Sequence, residues 1–452
     1  MEFRDRHVTI LGLARTGAAV ARVLHGRGAH VLVSDSRPAS ELQEAIAALP
    51  AGVQVETGGH SSRCLDADLI ILSPGVPRDL AVLQAAIADG VEILGEIELA
   101  HRLAQPPIVA ITGTNGKTTT TTLVARILET AGRRIGLGGN IGRPLIDFVD
   151  AADLDLLVAE ISSFQLESTV DFRPHVGAWL NFSDDHLNRH GSREAYWEAK
   201  KRLFVNQGPD DWAILNADDA AVQPLSGALP ARHLAFAIRT ELRDGVLARD
   251  GHIVHRIQGE DHPVMPLSEI RLRGTHNLEN CLAATAVALA LGVETSAIRQ
   301  AIAAFDGVEH RIEPVRQLDG VQWYNDSKGT NYDSTIKAIR SFEEPLVLIA
   351  GGRDKGGAIA PLVSTIAERV QHVVLVGESA PTFERFLRAG GYEAISTASD
   401  LPEAIALARG KAPVGGVVLY SPAATSFDMF RDYEHRGQVF KALVHDLQAG
   451  EP

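Results

Sequence analysis

Apolar residues in this chain come in short, nearly unbroken runs, separated by stretches with helical spacing. In residues 1–104 the runs are "HVTILG", "HVLVSD", "DLIILS" and "VEILG". Runs of Val, Ile and Leu at strand length predict strands covered on both faces of a parallel sheet. Between them lie the Ala-rich amphipathic stretches "TGAAVARVLHGRG" and "DLAVLQAAIADG", the second ending on a glycine stop. "AQPP" at 104–107 reads as a linker. The pattern restarts at "PIVAITG" and continues through "DLLVAEIS", "VGAWLNF" and "DWAILNA" to the Ala-rich helix after Cys281. A polar, turn-rich patch around 239–272 interrupts it and predicts a small antiparallel piece. A third start follows at "VQWYNDS", with "PLVLIAGG", "HVVLVG" and "GVVLYSPA" as further strands. No fixed-period repeat is visible. The predicted fold is α/β, with three modules at 1–104, 105–307 and 308–452, each a mostly parallel sheet with helices. Clefts between such modules are where substrates usually sit.

Composition narrows the picture. A length of 452 residues fits three domains at roughly 150 residues each. Hydrophobic content of 45% with 22% charged residues is that of a globular protein. The net charge of −14 argues against non-specific nucleic-acid binding, which needs a basic face. Any anionic substrate must then be held by local devices such as helix N-termini, a few Lys or Arg, or bound cations. Cys64 and Cys281 are far apart, form no metal-ligand pattern and fit a reducing compartment. "MEFRDRHVTILG" lacks the apolar stretch of a secretion signal. The longest apolar run, "CLAATAVALALGV", is shorter than the ~18 residues that cross a bilayer. A cytoplasmic location without membrane insertion is expected.

Two loops have phosphate-binding character. "ILGLARTG" (10–17) matches a dinucleotide fingerprint loosely: Gly12 and Gly17 are in place, but Ala14 replaces the middle glycine that lets backbone approach a pyrophosphate. Asp35, Ser36 and Arg37 follow where an acidic ribose ligand would sit. A plain strand–turn–helix and a nucleotide-diphosphate site both remain open, whereas an NAD site lacks its second half. The second loop, "ITGTNGKTT" (111–119), has Ile111 where the usual pattern has its first glycine, and Gly113 two residues late. Its chemistry is nonetheless complete. Gly113, Thr114, Asn115 and Gly116 can curl backbone N–H groups around phosphate oxygens at a helix N-terminus. Lys117 can neutralise β/γ-phosphate charge, and Thr118 or Thr119 can offer a hydroxyl to Mg²⁺. Leu123, Ile127 and Leu128 mark the apolar face of the helix that follows.

Further chemistry gathers at predicted strand ends. Glu160 closes "LLVAE", where it can serve Mg²⁺ or simply meet solvent. His186 and His190 in "DDHLNRH" are four apart, but Leu187 replaces the glutamate of a zinc-hydrolase helix. A single His186 beside Mg²⁺ or substrate, or on the surface, is the better reading. "SREAYWEAKKRLF" predicts an N-capped helix with Tyr196 and Lys200 on one face, and a lysine there is ordinarily solvated. "GVEHR", "WYNDSKGTNYDS", "GGRDKGG" and "SPAATSFD" place Asp326, Lys328, Lys355 and several hydroxyls after strands of the third module, where they can grip carboxylates.

Together "ITGTNGKTT", "GGNIG", "EISSFQLE", "NFSDDHLNRHGSREAYWEAK", "GTHNLENCLAA", "EHR", "NDSKGTN" and "SPAATSFD", in that order, resemble the Mur ligases of peptidoglycan synthesis over essentially the whole chain. "SSFQLE", "NDSKGTN" and "SPAATSFD" are closest to the D-glutamate-adding members. The loop and "HNLEN" are shared with the wider superfamily, folylpolyglutamate synthases included. The resemblance implies Rossmann-like first and third domains around a P-loop ATPase-like centre, and ATP-dependent amide-bond formation through an acyl phosphate. It implies UDP-N-acetylmuramoyl-L-alanine, D-glutamate and ATP as partners, two Mg²⁺ ions, and a monomer. Lys117 and Thr118 would hold ATP and Mg²⁺, with Glu160 and His186 completing the metal shells. Lys200 matches the lysine that the family carbamylates with CO₂ to make a ligand near the second metal, which overrules the solvated reading. Asn280, Arg311 and Asp326 match nucleotide-binding positions, and Lys328 approaches the reacting phosphate. Thr330, Lys355, Ser426 and Phe427 are implied for D-glutamate. Arg15, Thr16, Asp35, Ser36, Arg37, Gly75 and Asn140, with His186, are implied for the uridine-diphosphate substrate. Two positions depart from the family: Arg15 stands where an apolar residue is common, and Gly329 where Ala is usual, which is expected to loosen the loop bearing Lys328. The class-level rivals are an NAD-dependent oxidoreductase using the first loop and a non-catalytic nucleotide sensor.

Overall fold

The computed structural model describes residues 1–450. It contains three sheets. The first takes β1 (His7–Leu11), β2 (His30–Asp35), β3 (Gln54–Thr57), β4 (Leu69–Leu72) and β5 (Glu92–Gly95) in the order β3-β2-β1-β4-β5. All its neighbours are parallel. It stops at five strands, without the second half that a dinucleotide fold requires.

The second sheet holds β6 (Ile108–Thr112), β7 (Ile135–Gly139), β8 (Leu156–Glu160), β9 (Val176–Trp179), β10 (Trp212–Asn216), β11 (Arg232–Ala237), β12 (Gly245–Arg249), β13 (His252–Ile257) and β14 (Glu260–Pro266). Their order is β14-β13-β12-β11-β10-β9-β6-β8-β7. Every residue of β6, β8 and β9 is buried, as continuous apolar runs demand of central parallel strands. The polar stretch expected to turn antiparallel does so, with β12, β13 and β14 forming an antiparallel meander at one edge.

The third sheet contains β15 (Glu313–Leu318), β16 (Val321–Asn325), β17 (Leu346–Ala350), β18 (Val370–Val376), β19 (Ile395–Ala398) and β20 (Val417–Tyr420). The order is β15-β16-β20-β17-β18-β19, with only the β15–β16 pair antiparallel.

By compactness the chain forms two units. One comprises residues 1–269 and 279–303, the other 270–278 and 304–452. In the larger unit a single apolar cluster runs from Phe3 and Val8 through Ile97 and Leu99 to Leu145, Trp179 and Phe204, so the first two sheets share a core. The helix Glu96–Leu103 lies within that shared core and carries two buried carboxylates. Glu98 accepts hydrogen bonds from the N–H groups of Val170 (2.8 Å), Phe172 (3.0 Å) and Asp171 (3.1 Å) and pairs with Arg102 at 2.7 Å. Glu96 accepts from the N–H of Ile146 at 2.8 Å. Burial pushes the Glu96 carboxyl up to about 7. Among the described residues no helix is long and apolar enough to cross a membrane, and both cysteines are free and buried.

Candidate active site

Both phosphate-type loops leave the strand at which their sheet's order reverses. β1 lies between β2 and β4, and β6 between β9 and β8. In open α/β sheets the crevice beyond such strand ends is where ligands bind.

At β1, Asp35 organises the loop. Its Oδ2 accepts from the Leu13 N–H at 2.7 Å and from Arg37 Nη2 at 2.9 Å, and its Oδ1 from Arg37 N and Nε. The hydrogen bonds from Arg37 hold the Asp35 carboxyl down at about 2. Arg15 and Ser36 are exposed, Thr16 is half-buried, and Gly75 is exposed in the loop after β4. That loop is tied to the first, because the Ser73 hydroxyl donates to the Gly12 carbonyl at 3.0 Å.

At β6 the chain turns through Gly113–Gly116 into the helix Lys117–Thr130. The five consecutive threonines that follow Lys117 in this helix are poor helix formers. Burial of Thr118, Thr119, Thr120 and Thr121 in packed tertiary structure overrides that preference. Gly116 caps the helix at φ 81, and a Cβ there would lie 2.2 Å from Asn280 Oδ1. Only glycine permits that combination. The Asn280 oxygen also takes the Thr120 hydroxyl at 3.2 Å. Lys117 Nζ folds back onto the carbonyls of Gly113 (2.9 Å) and Thr114 (2.8 Å). Thr118 donates its hydroxyl to Glu160 Oε2 at 2.8 Å, and Asn140 donates its amide to Oε1 at 2.8 Å. Thr119 does not reach this cluster with its hydroxyl, which is buried without a partner. Of the two threonines expected for Mg²⁺, Thr118 is the one set beside the carboxylate.

Lys200 settles its own question of exposure: it is 1% exposed, so the solvated reading of this helix position fails. The helix Arg193–Lys201, capped by the Ser192 side chain, turns its Tyr196–Lys200 face inward. Lys200 Nζ donates to the same Gly113 carbonyl at 2.9 Å and sits 4.8 Å from the Tyr196 ring centroid. Burial, and then repulsion from Lys117, push its pKa well below the ordinary lysine value, against opposing pulls from Asp185 and Glu160. Such a shift favours the neutral amine.

His186 has φ 54, its ring packs against Phe164 in a T-shaped arrangement with centroids 4.9 Å apart, and its Nε2 lies 3.6 Å from Asp185 Oδ2. His190 turns elsewhere, to Glu167 at 2.9 Å and the Ser163 hydroxyl at 3.0 Å. Both histidine rings pack against Phe164, and what separates them is their polar partners.

The sequence reading missed Asn181, Asp185 and the role of Tyr196. Asn181 clamps the loop from both sides, accepting from the Asn115 N–H at 2.9 Å and donating to the Asn115 carbonyl at 3.0 Å. Its signal was being the first polar residue after the β9 run. Tyr196 shares a hydrogen bond with the Thr114 hydroxyl at 3.2 Å.

In the smaller unit, three adjacent strands, β16, β20 and β17, bring their carboxyl-end loops together. Asp326 is buried, accepts from the Ser421 hydroxyl at 2.6 Å, and is pushed up to about 6 by burial. Arg311 has its Nε buried without a hydrogen-bond partner, an orphaned donor suited to an anion. Lys328 lies over the Tyr433 ring, and its N–H donates to the His310 carbonyl. Lys355 Nζ reaches the Thr330 hydroxyl at 3.5 Å, Ser426 is buried, and Phe427 is 63% exposed. Gly329 does not loosen its turn. Its N–H and carbonyl are both paired, and a Cβ would fall 2.6 Å from Asp326 Oδ2 and 2.7 Å from Ser421 Oγ. Glycine here makes room for the Asp326–Ser421 pair.

Three family models match the chain in succession. Mur ligase MurD-like N-terminal domain covers residues 6–95, Mur ligase middle domain 111–288, and Mur ligase glutamate ligase domain 310–424. The chain belongs to the Mur ligase family. It is similar to two relatives named UDP-N-acetylmuramoylalanine--D-glutamate ligase. One, from Geotalea uraniireducens, is 45% identical over 100% of this chain and 99% of its own length. The other, from Pelobacter propionicus, is 47% identical over 99% and 100%. Among solved Mur ligase structures, UDP-N-acetylmuramate-alanine ligase MurC from Thermotoga maritima shares the fold at TM-score 0.62 and 20% identity, over 97% of this chain and 99% of that one. A pseudomurein peptide ligase from Methanothermus fervidus does so at TM-score 0.61 and 19% identity, over 98% and 100%. The loop at 111–119 falls within the middle-domain match.

Proposed function

We propose that this Mur ligase is an ATP-dependent ligase that joins D-glutamate to UDP-N-acetylmuramoyl-L-alanine in cytoplasmic peptidoglycan precursor synthesis, releasing ADP and phosphate. The observation that carries the reading is the Lys117–Thr118–Glu160–Lys200 cluster at the ends of β6 and β8. It occurs in a chain alike from end to end to relatives of that name. The substrate carboxylate takes the γ-phosphoryl group, and the D-glutamate amine then attacks the acyl carbon and expels phosphate.

The donor set fits Mg²⁺. Glu160 is 2% exposed, and its two oxygens are held by the neutral Thr118 hydroxyl and Asn140 amide, a hard oxygen site of the kind Mg²⁺ prefers. Thr118, Glu160 and His186 would hold metal, with Lys200 as its carbamate at a second ion. Bound there, Mg²⁺ neutralises charge on the transferring phosphoryl group. Lys117 holds its ammonium among the loop carbonyls, ready to turn to the β/γ-phosphates. The N–H groups of Gly113, Thr114, Asn115 and Gly116 and the helix N-terminus orient the nucleotide, joined by Thr119, Asn280, Arg311 and Asp326. Because burial disfavours the charged form of Lys200, its amine lone pair would be available to add CO₂, losing a proton and gaining a carboxylate. Lys328 serves the reacting phosphate. Thr330, Lys355, Ser426 and Phe427 take D-glutamate, an ammonium and hydroxyls pairing with its carboxylates. Arg15, Thr16, Asp35, Ser36, Arg37, Gly75, Asn140 and His186 take the uridine-diphosphate substrate. Residues 1–104, 105–307 and 308–452 are its domains, and it works as a monomer.

The test is phosphate release from ATP with Mg²⁺, bicarbonate and UDP-N-acetylmuramoyl-L-alanine, supplying D-Glu, L-Glu, L-Lys or glycine in parallel. Release with D-Glu alone, with the amide product found by mass, is the expected result. Release with another amino acid moves the specificity, and no release from folded, ATP-binding protein overturns the reading.

A further inference from the structure

Phe164 lies in the short helix Ser163–Leu166 that follows β8 and is contacted on three sides. His186 packs against it in a T-shaped arrangement at 4.9 Å, His190 stacks on it at 5.3 Å, and the Arg189 guanidinium carbon lies 5.0 Å from its centroid. Arg189 also reaches out of the second sheet's domain. Its Nη2 donates at 3.2 Å to the carbonyl of Val76, in the loop after β4 that carries Gly75. The same nitrogen lies 3.6 Å from Glu167 Oε2, while Glu167 Oε1 pairs with His190. The Val76 loop is itself fastened to the first anion loop, since Val76 N–H donates to Ser73 O and the Ser73 hydroxyl to Gly12 O. Arg78 of that loop donates to the Glu167 carbonyl as well.

We propose that Arg189 is a positioning residue that couples occupancy of the uridine-diphosphate loop to the setting of His186, through the Phe164 ring. The inference rests on the uridine-site reading above and adds a link between that site and the metal side of the ATP loop. The physical argument is that the guanidinium has two fixed attachments. Its hydrogen bond follows any shift of the Val76 carbonyl when the first loop closes on an anion, and its planar face moves with Phe164. His186 sits at positive φ against the same ring, so its imidazole must follow the ring or lose that contact. Spatial continuity alone does not establish coupling, which is a free energy between two sites and has to be measured as one.

The measurement is the dissociation constant of Mg²⁺·AMP-PNP, by calorimetry, with and without saturating UDP. UDP lacks the sugar and alanine that would extend toward the second loop. In the intact protein UDP is expected to change that constant by about fivefold or more. In Arg189→Ala the ratio should fall to within about twofold of one, while each ligand alone binds within about threefold of its usual strength. Phe164→Leu, which leaves Arg189 on Val76, should abolish the ratio in the same way. A ratio near one in the intact protein, or an unchanged ratio in either folded variant, overturns the proposal. So does loss of UDP binding alone in Arg189→Ala, which would make Arg189 a local support of its loop. If Arg189→Ala does not fold, Phe164→Leu decides by the same ratio. An intact protein that binds no UDP overturns the uridine-site reading itself, whereas binding without coupling overturns only the relay.

Discussion

Replacing Lys200 by methionine separates two properties that most active-site substitutions lose together. The side chain is 1% exposed, and burial together with Lys117 depresses its pKa. In the unfolded chain the amine titrates near ~10.4. Above its depressed native value the folded protein therefore carries one proton fewer than the unfolded chain, until pH reaches the unfolded value. Stability must rise with pH across that window, by about 1.4 kcal/mol per unit where the native amine is fully neutral and the unfolded one fully charged. Across that window the intact protein should gain stability over Lys200→Met as pH rises, from this residue alone. Methionine keeps the unbranched shape and removes the cost of the buried amine, so at neutral pH the variant should melt no lower than the parent. The assay is urea unfolding of both proteins in CO₂-free buffer across that range, followed by turnover with bicarbonate restored. The variant should be as stable and inactive. With ¹³C-bicarbonate, a carbamate carbon resonance should appear in the intact protein only. Parallel stability curves would mean that Lys200 is protonated in the fold, and the argument for a neutral, CO₂-reactive amine would collapse.

Lys117→Ala should abolish turnover yet leave UDP affinity within about threefold, because the two anion loops follow different sheets; titrations of both nucleotides check this. Gly116→Ala places a Cβ 2.2 Å from Asn280 Oδ1 at φ 81, so it should cost about 1–2 kcal/mol in backbone strain and weaken ATP binding once Asn280 is displaced. Glu98→Gln should destabilise the larger unit by about 3 kcal/mol, read from denaturant midpoints. Burial raises the Glu98 pKa, but hydrogen bonds from Val170 and Arg102 outweigh it and hold the group below the ordinary value. Its contribution is then complete above ~4.3 and lost as pH falls through the lower native value, and the variant should lack that acid-side loss.

The strands were legible because buried parallel strands need unbroken apolar runs, and β6, β8, β9 and β17 are such runs. The switch to antiparallel pairing in the second sheet was legible for the opposite reason, since β14 has exposed positions that an edge strand can carry. Depth was not legible. Helical spacing put Tyr196 and Lys200 on one face, but only tertiary packing shows that this face turns toward the Gly113 carbonyl. The acids of "GEIELAHRL" read like any charged helix start, yet Glu96 and Glu98 serve as caps for backbone groups about 50 and 70 residues away in sequence. Gly329 is the sharpest case. As a departure from the family it pointed to a slack turn, and the contact that reverses this comes from Ser421 and Asp326, which are brought together only by β16 and β20 lying side by side.

A chain of net charge −14 that handles two polyphosphates has to solve an electrostatic problem locally. At the β6 loop, a second permanent cation beside Lys117 would repel it inside a buried cluster. The structure instead gives the second position to a lysine whose charge is suppressed. Acceptance of anions then falls to Lys117, to backbone N–H groups at a helix start, and to any cation recruited by Glu160. In the smaller unit Arg436 is fully buried and bonded to Ser327 and to the Ala424 carbonyl. It has no carboxylate within ion-pair distance among the described residues. A guanidinium held that way costs desolvation, but it keeps its positive potential behind the two turns that carry Lys328 and Ser426. Within each unit, taken by itself, positive charge is thus held at strand-end turns: by Lys117 after β6, and by Arg436 behind the turns of Lys328 and Ser426.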